Sequence, residues 1–258
     1  MCARCGTRLA GIDSRALAVG NCRCCRMAPP PFVRAVSFGP YEYRMRGAIH
    51  AFKYDRMRPV ARELGRRLGM AMAQLAGEAP EEMLVVPVPL HGSKLRQRGF
   101  NQARILATVA LGSLRQTHPQ WRLRLASSTL IRQRSTASQA GLNGHERRRN
   151  VRGAFVVSEA EAVGMKQVLL VDDILTTGAT VRAAAEALLK AGAASVWVAT
   201  LARAQARFAA GRERFGDWDD VGAGSDSLRQ ISGYEQTRYQ STGSDGARVY
   251  SSHDQPSF

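Results

Sequence analysis

Two adjacent carboxylates, three hydroxyls and a glycine are brought together in Asp172-Asp-Ile-Leu-Thr-Thr-Gly-Ala-Thr180. Thr176, Thr177 and Thr180 supply side-chain donors, and Gly178 lets the backbone approach a ligand closely. A loop that runs into a helix start also presents unpaired N–H groups at the positive end of the helix dipole. Together these groups hold phosphate. Asp172 and Asp173 repel phosphate, but they accept hydrogen bonds from sugar hydroxyls and help to place Mg²⁺, which prefers oxygen ligands and substrate phosphates. The ligand implied is a ribose 5-phosphate bearing a metal-bound group.

These residues need a strand before them and a helix after them. Val168-Leu-Leu-Val171 suits a strand buried on both faces, and Val181, Ala184, Ala185, Leu188 and Leu189 recur at helical spacing. Gly192 suits the helix C-terminus, and residues 195–201 read as the next strand. Upstream, Met83-Leu-Val-Val-Pro-Val-Pro89 reads as a second buried strand, ended by prolines that cannot continue a ladder. A loop carrying Lys94, Arg96 and Arg98 follows it, then a helix over 102–114. Residues 122–130 read as a strand that leads into the polar segment Ile131-Arg-Gln-Arg-Ser-Thr-Ala-Ser-Gln139, and Phe155-Val-Val157 restarts the sheet. Residues 33–37 and 41–43, either side of Gly39-Pro40, read as a hairpin, with helices over 45–52 and 59–75 behind it. Lys53 and the arginines between 56 and 67 read as a solvated face. This order predicts an α/β domain with an open, mostly parallel sheet flanked by helices and a site at its carboxyl edge.

All five cysteines fall within the first 30 residues, as Cys2-Ala-Arg-Cys5 and Cys22-Arg-Cys-Cys25. Each C-x2-C pair places two thiolates on one tight turn, so Cys2, Cys5, Cys22 and Cys25 make a closed tetrahedral set for structural zinc. Cys24 is left over, and whether it replaces Cys22 or Cys25 stays open. A ribbon of this size has little core and is expected to be unfolded without metal.

The division expected is a ribbon over 1–30, a main domain over 31–215 and a tail over 216–258, with Pro29-Pro-Pro31 as a stiff linker. The tail is rich in Gly, Ser, Asp and Gln without apolar periodicity and is expected to be disordered. At 258 residues and 45% hydrophobic content, one good core and a small appendage can be buried. No apolar run reaches the ~18 residues that span a bilayer. A cytoplasmic protein without membrane insertion is expected. The formal charge of +16 suits phosphate-rich partners, either a phosphorylated sugar or nucleic acid.

Val168 to Thr180 resembles the signature of type I phosphoribosyltransferases, which bind phosphoribosyl pyrophosphate (PRPP). Pro87-Val-Pro-Leu-His91, Arg98-Gly-Phe-Asn-Gln102, the segment from Arg134 to Gln139 and the four-cysteine start together resemble the competence protein F family. The resemblance covers residues 2 to about 204. It implies the type I phosphoribosyltransferase fold behind a small zinc ribbon, with Zn structural and Mg arriving with PRPP. Asp172 and Asp173 would face the ribose 2′ and 3′ hydroxyls, while Ile174, Leu175, Thr176, Thr177, Gly178, Ala179 and Thr180 would wrap the 5′-phosphate. The backbone beyond Pro89, with Arg98 or Lys94 nearby, would meet pyrophosphate. Arg132, Arg134, Thr136 and Gln139 would belong to a closing lid, with Arg98, Arg132 and Arg134 as catalytic candidates. A role in DNA uptake is implied too, with single-stranded DNA and a competence helicase as candidate partners.

Overall fold

The computed structural model describes residues 1–9, 20–54, 58–134, 144–204, 207–209 and 212–214. A short helix in the cysteine region, α1 (Arg23–Met27), is followed by β1 (Ala35–Pro40), α2 (Tyr43–Tyr54) and α3 (Arg58–Ala73). The chain continues through β2 (Glu82–Pro87), α4 (Gly92–Arg98), α5 (Gln102–Thr117), β3 (Arg122–Leu125), β4 (Leu130–Arg132), α6 (Gly144–Val151) and β5 (Phe155–Val157). Then come β6 (Gln167–Leu175), α7 (Ala179–Lys190), β7 (Ser195–Arg203) and the short strands β8 (Arg207–Ala209) and β9 (Arg212–Arg214).

Five strands form a wholly parallel sheet in the order β1-β7-β6-β2-β3. Val168, Leu169, Leu170 and Val171 are completely buried at its centre, which explains their continuous apolar run. Val168 and Leu170 share a core with Val181, Ala184, Ala185 and Leu188 of α7 on one face. On the other face α5 packs against β6 and β2, and α3 packs against α5, β1 and β7.

The chain leaves β2 toward β3 on one side and leaves β6 toward β7 on the other. The strand order therefore reverses between β2 and β6, and α5 and α7 lie on opposite faces. A crevice opens outside the carboxyl ends of such a pair, where open α/β sheets bind ligands. Pro87 is paired with Val171 there, so the loop after Pro87 and the end of β6 from Asp172 onward border the same crevice.

Four elements differ from the sequence-based expectation. Residues 33–43 do not form a hairpin: β1 is an edge strand parallel to β7, ended by Pro40, and Tyr43 already begins α2. Pro40 supplies no N–H for an antiparallel partner. The strand expected over 122–130 is two. β3 pairs with β2, the polar Ser127, Ser128 and Thr129 interrupt it, and β4 pairs antiparallel with β5 in a separate ribbon. The segment read as a loop after Pro89 contains α4, started by the His91 side chain and ended by Gly99 at φ 79°. Finally, β6 runs on to Leu175, so Asp172, Asp173 and Ile174 belong to the strand end rather than to the loop.

The contact of α3 with α5 depends on Gly65, where an added Cβ would stand 2.4 Å from Val109 Cβ. Gly112, also in α5, is exposed and has nothing within 4 Å of such an atom. Gly65→Ala is therefore expected to destabilise by roughly 1–3 kcal/mol despite better helix propensity, and Gly112→Ala to stabilise by about 0.5–1 kcal/mol. Thermal unfolding of the two variants checks this, and equal shifts would contradict the packing described.

Candidate functional site

At the carboxyl end of β6 the two carboxylates are held differently. Asp173 forms an ion pair with Lys53, Oδ2 to Nζ 3.0 Å, with both side chains largely buried. Asp172 Oδ1 accepts the Asp173 backbone N–H at 2.9 Å. Burial, and then the neighbouring Asp173 carboxylate, push Asp172 up to about 7, although the Asp173 N–H, Lys53 and Arg132 pull the other way. Burial alone would lower Lys53, but the Asp173 carboxylate more than reverses this, so its ammonium is held above the ordinary value. Burial lowers Arg132 while the Asp172 charge opposes it, and its guanidinium stacks 5.4 Å from the Phe155 ring centre. The acid pair thus lies in the field of two cations, one from α2 and one from β4.

Past Leu175 the chain turns through Thr176, Thr177 and Gly178 into α7. Gly178 caps that helix at φ 78°, and a Cβ there would have room, so the left-handed backbone is what requires glycine. Thr177 Oγ1 accepts the Ala179 N–H at 3.3 Å, and Ala179 and Thr180 form the first helical turn. Across the crevice, Pro89 is half-buried just past the end of β2, and the Asn101 Nδ2 donates to the Val88 carbonyl at 3.1 Å. Arg98 ends α4 and donates to Gln102 Oε1 at 3.3 Å, and its charge works against the raised Lys53 ammonium. Phe100 packs on Phe52, with ring centres 5.4 Å apart, so the Arg98-Gly-Phe-Asn-Gln102 segment is joined to the helix that carries Lys53.

Arg132 is thus brought to the acid pair. Arg134 is engaged elsewhere, donating to the Asn150 and Arg152 carbonyls at the end of α6. Thr136 and Gln139 lie outside the described residues. Sequence reasoning missed Lys53. Its signal was its position four residues after the buried Ile49, on the apolar side of α2 with Ala48 and Phe52. Asn101 was quoted only within a motif, although it caps α5 by accepting the Arg104 N–H.

The thiol sulfurs of Cys2, Cys5, Cys22 and Cys25 all lie within 4.8 Å of one another, and those of Cys5 and Cys22 are 3.7 Å apart. Sulfurs bonded tetrahedrally to zinc at ~2.3 Å stand about 3.8 Å apart, so the set fits zinc. Cys24 is exposed and outside the cluster, which resolves the alternative left by the sequence. The Cys22 N–H donates to Cys2 Sγ at 3.3 Å, a backbone contact that orients the sulfur within the set. The carboxylate pair is not a cage of this kind, and Mg²⁺ fits it only as an ion carried largely by substrate oxygens.

A phosphoribosyl transferase domain is matched over residues 97–220. The DNA utilization protein YhgH of Salmonella typhi is 36% identical over 186 residues, which cover 70% of this chain and 77% of that protein. Competence protein F of Haemophilus influenzae is 29% identical over 208 residues, covering 79% of this chain and 84% of its own. Among solved structures, the allosteric regulatory enzyme of purine biosynthesis overlaps 55% of this chain at 22% identity and a TM-score of 0.33. The overlap is about a quarter of that enzyme, 26% of its length.

Asp172→Asn tests the electrostatics of the pair without any ligand. The folded carboxyl titrates near 7, above its unfolded value, so its proton stabilises the fold below about pH 4 and that contribution is lost as pH rises through 7. The variant is expected to be more stable than the wild type at pH 8 by about 2 kcal/mol, roughly half the full conversion of that displacement because water reaches part of the side chain. The difference should close toward pH 4 in thermal unfolding; a variant less stable at pH 8 would contradict it. With the parallel sheet, the crevice at the strand reversal, the cysteine cluster and these relatives in view, the chain belongs to the competence protein F family, with a type I phosphoribosyltransferase domain and an N-terminal four-cysteine cluster that fits zinc.

Proposed function

We propose that the chain binds PRPP at the β2–β6 crevice and transfers its phosphoribosyl group to a nitrogen acceptor. The observation that carries this is the Asp172–Asp173 pair at the end of β6, continuous with a threonine turn and a glycine-capped helix. In this reading the carboxylates accept hydrogen bonds from the ribose 2′ and 3′ hydroxyls, and Lys53 fixes the orientation of Asp173. Thr176, Thr177, Thr180 and the N–H groups from Gly178 onward hold the 5′-phosphate. The bond from C1 to the pyrophosphate oxygen breaks, a bond from nitrogen to C1 forms, and the nitrogen releases its proton to solvent.

No side chain need act as nucleophile, so positioning and charge stabilisation supply the rate. Mg²⁺ bound with the substrate would neutralise the departing pyrophosphate. Arg98, beside the loop after β2, and Arg132, beside Asp172, are the cations at hand, while Arg134 would help to exclude water only by leaving the Asn150 and Arg152 carbonyls and closing over the site.

A second reading is favoured by the names of the relatives and by charge. The relatives are a DNA utilization protein and a competence protein, and a cleft of about 340 Å³ between α6 and α7 is lined by Arg149, Arg152 and Arg182 with Glu186. On that reading the chain handles single-stranded DNA in natural transformation, with PRPP as a controlling ligand and a helicase as partner.

Pyrophosphate release from PRPP and Mg²⁺ by zinc-loaded protein, with a panel of nucleobases and ammonia, separates the two. Transfer predicts release that depends on one acceptor and falls at least 100-fold in Asp172→Asn, a loss on the order of 3 kcal/mol of transition-state stabilisation. PRPP binding without release in any member of the panel would overturn transfer and leave the DNA-handling reading.

A further inference from the structure

The ribbon is fastened to the phosphate loop at both of the loop's ends. At the first end, Arg203 closes β7 directly beside Leu175, with which it is in register. One of its terminal nitrogens donates to the Leu175 carbonyl at 3.0 Å and also to the Thr176 carbonyl, while the other donates to Thr7 Oγ1 at 2.6 Å and to Cys5 Sγ at 3.8 Å. Its Nε donates to the same Thr7 hydroxyl at 3.1 Å, and Thr7 Oγ1 in turn is 3.3 Å from Cys5 Sγ. At the other end, Arg182 lies one turn into α7 and donates to the Ala28 and Pro29 carbonyls at 2.6 and 3.1 Å. Those carbonyls immediately follow α1, the helix that carries Cys25.

One guanidinium therefore bridges the first cysteine turn to the start of the loop, and another bridges the second cysteine turn to the helix that ends it. Arginine can do this because its planar fork presents several donors in fixed directions; a lysine ammonium on the same stem reaches one side or the other. The first cysteine turn, residues 2–7, has little core of its own beyond the cysteines, so metal bound there would reinforce the backbone hydrogen bonds that hold Thr7 and Cys5 in place for Arg203.

We propose that Arg203 and Arg182 are positioning residues through which metal in the Cys2, Cys5, Cys22 and Cys25 set orders the phosphate loop and tightens PRPP binding; this rests on the PRPP reading above. Because coupling between two binding sites is reciprocal, PRPP must raise zinc affinity by the factor by which zinc raises PRPP affinity. A ribbon that merely docks on the domain carries no such requirement.

The test uses the full-length chain, zinc-loaded and stripped by a zinc-selective chelator. PRPP affinity is read by calorimetry with Mg²⁺, and zinc affinity by competition with the chelator. In the wild type, removal of zinc is expected to weaken PRPP about tenfold, and saturating PRPP to strengthen zinc by the same factor. The double variant Thr7→Val/Arg182→Met should still bind one zinc, but bind PRPP as the stripped wild type does, with neither ligand affecting the other. Arg203→Lys, kept zinc-loaded throughout and so independent of how the stripped protein behaves, should retain metal and lose PRPP affinity to the same level. PRPP affinity indifferent to zinc in the wild type, or full coupling surviving in the double variant, overturns the inference alone. Wild-type protein that binds zinc but no PRPP overturns it together with the PRPP reading.

Discussion

Two carboxylates side by side at the buried end of a central strand are costly unless cations compensate them, and much of the architecture around the crevice provides that compensation. Lys53 reaches Asp173 only because α2 packs with Ala48, Ile49 and Phe52 inward and meets Phe100 at its end. Arg132 reaches the field of Asp172 only because the strand after β3 breaks at Ser127–Thr129 and reforms as β4 against β5. The compensation is incomplete, since Asp172 remains displaced to about 7. A site that spends stability to keep an ionisable group poised near neutrality is the pattern expected where a ligand completes the charge balance.

The turn from β6 into α7 shows why the central motif was legible from sequence. Val168 to Val171 is apolar because both faces of the strand are covered, Gly178 is glycine because the cap has φ 78°, and the stripe through Val181, Ala184 and Leu188 points into the same core. Each is a local rule read off one segment. The four clustered cysteines were legible in the same way, and the burial of three of them with Cys24 exposed selects among the pairings that spacing alone left open.

What was not legible depended on distant partners. Nothing near Tyr41 announces that Ala35–Pro40 pairs with β7, more than 150 residues away, rather than with its neighbour across Gly39-Pro40. Lys53 sits among arginines and reads as solvated until Asp173 is placed opposite it. Arg203 ends an apolar strand with no motif around it, and its role appears only when residue 7 and residue 175 are seen to flank it. The contrast separates chemistry encoded in one strand-loop-helix unit from charge compensation assembled across the fold.

The most direct test of the crevice as a PRPP site is calorimetric titration of zinc-loaded protein with PRPP and Mg²⁺ at pH 8, comparing wild type with Gly178→Val and with the packing-neutral Gly112→Ala. The expected result is saturable binding of one PRPP per chain, weakened at least tenfold by Gly178→Val, because a β-branched residue cannot adopt the φ 78° cap, and unchanged by Gly112→Ala. No binding, or binding that Gly178→Val leaves intact, would contradict the assignment of the phosphate to this loop.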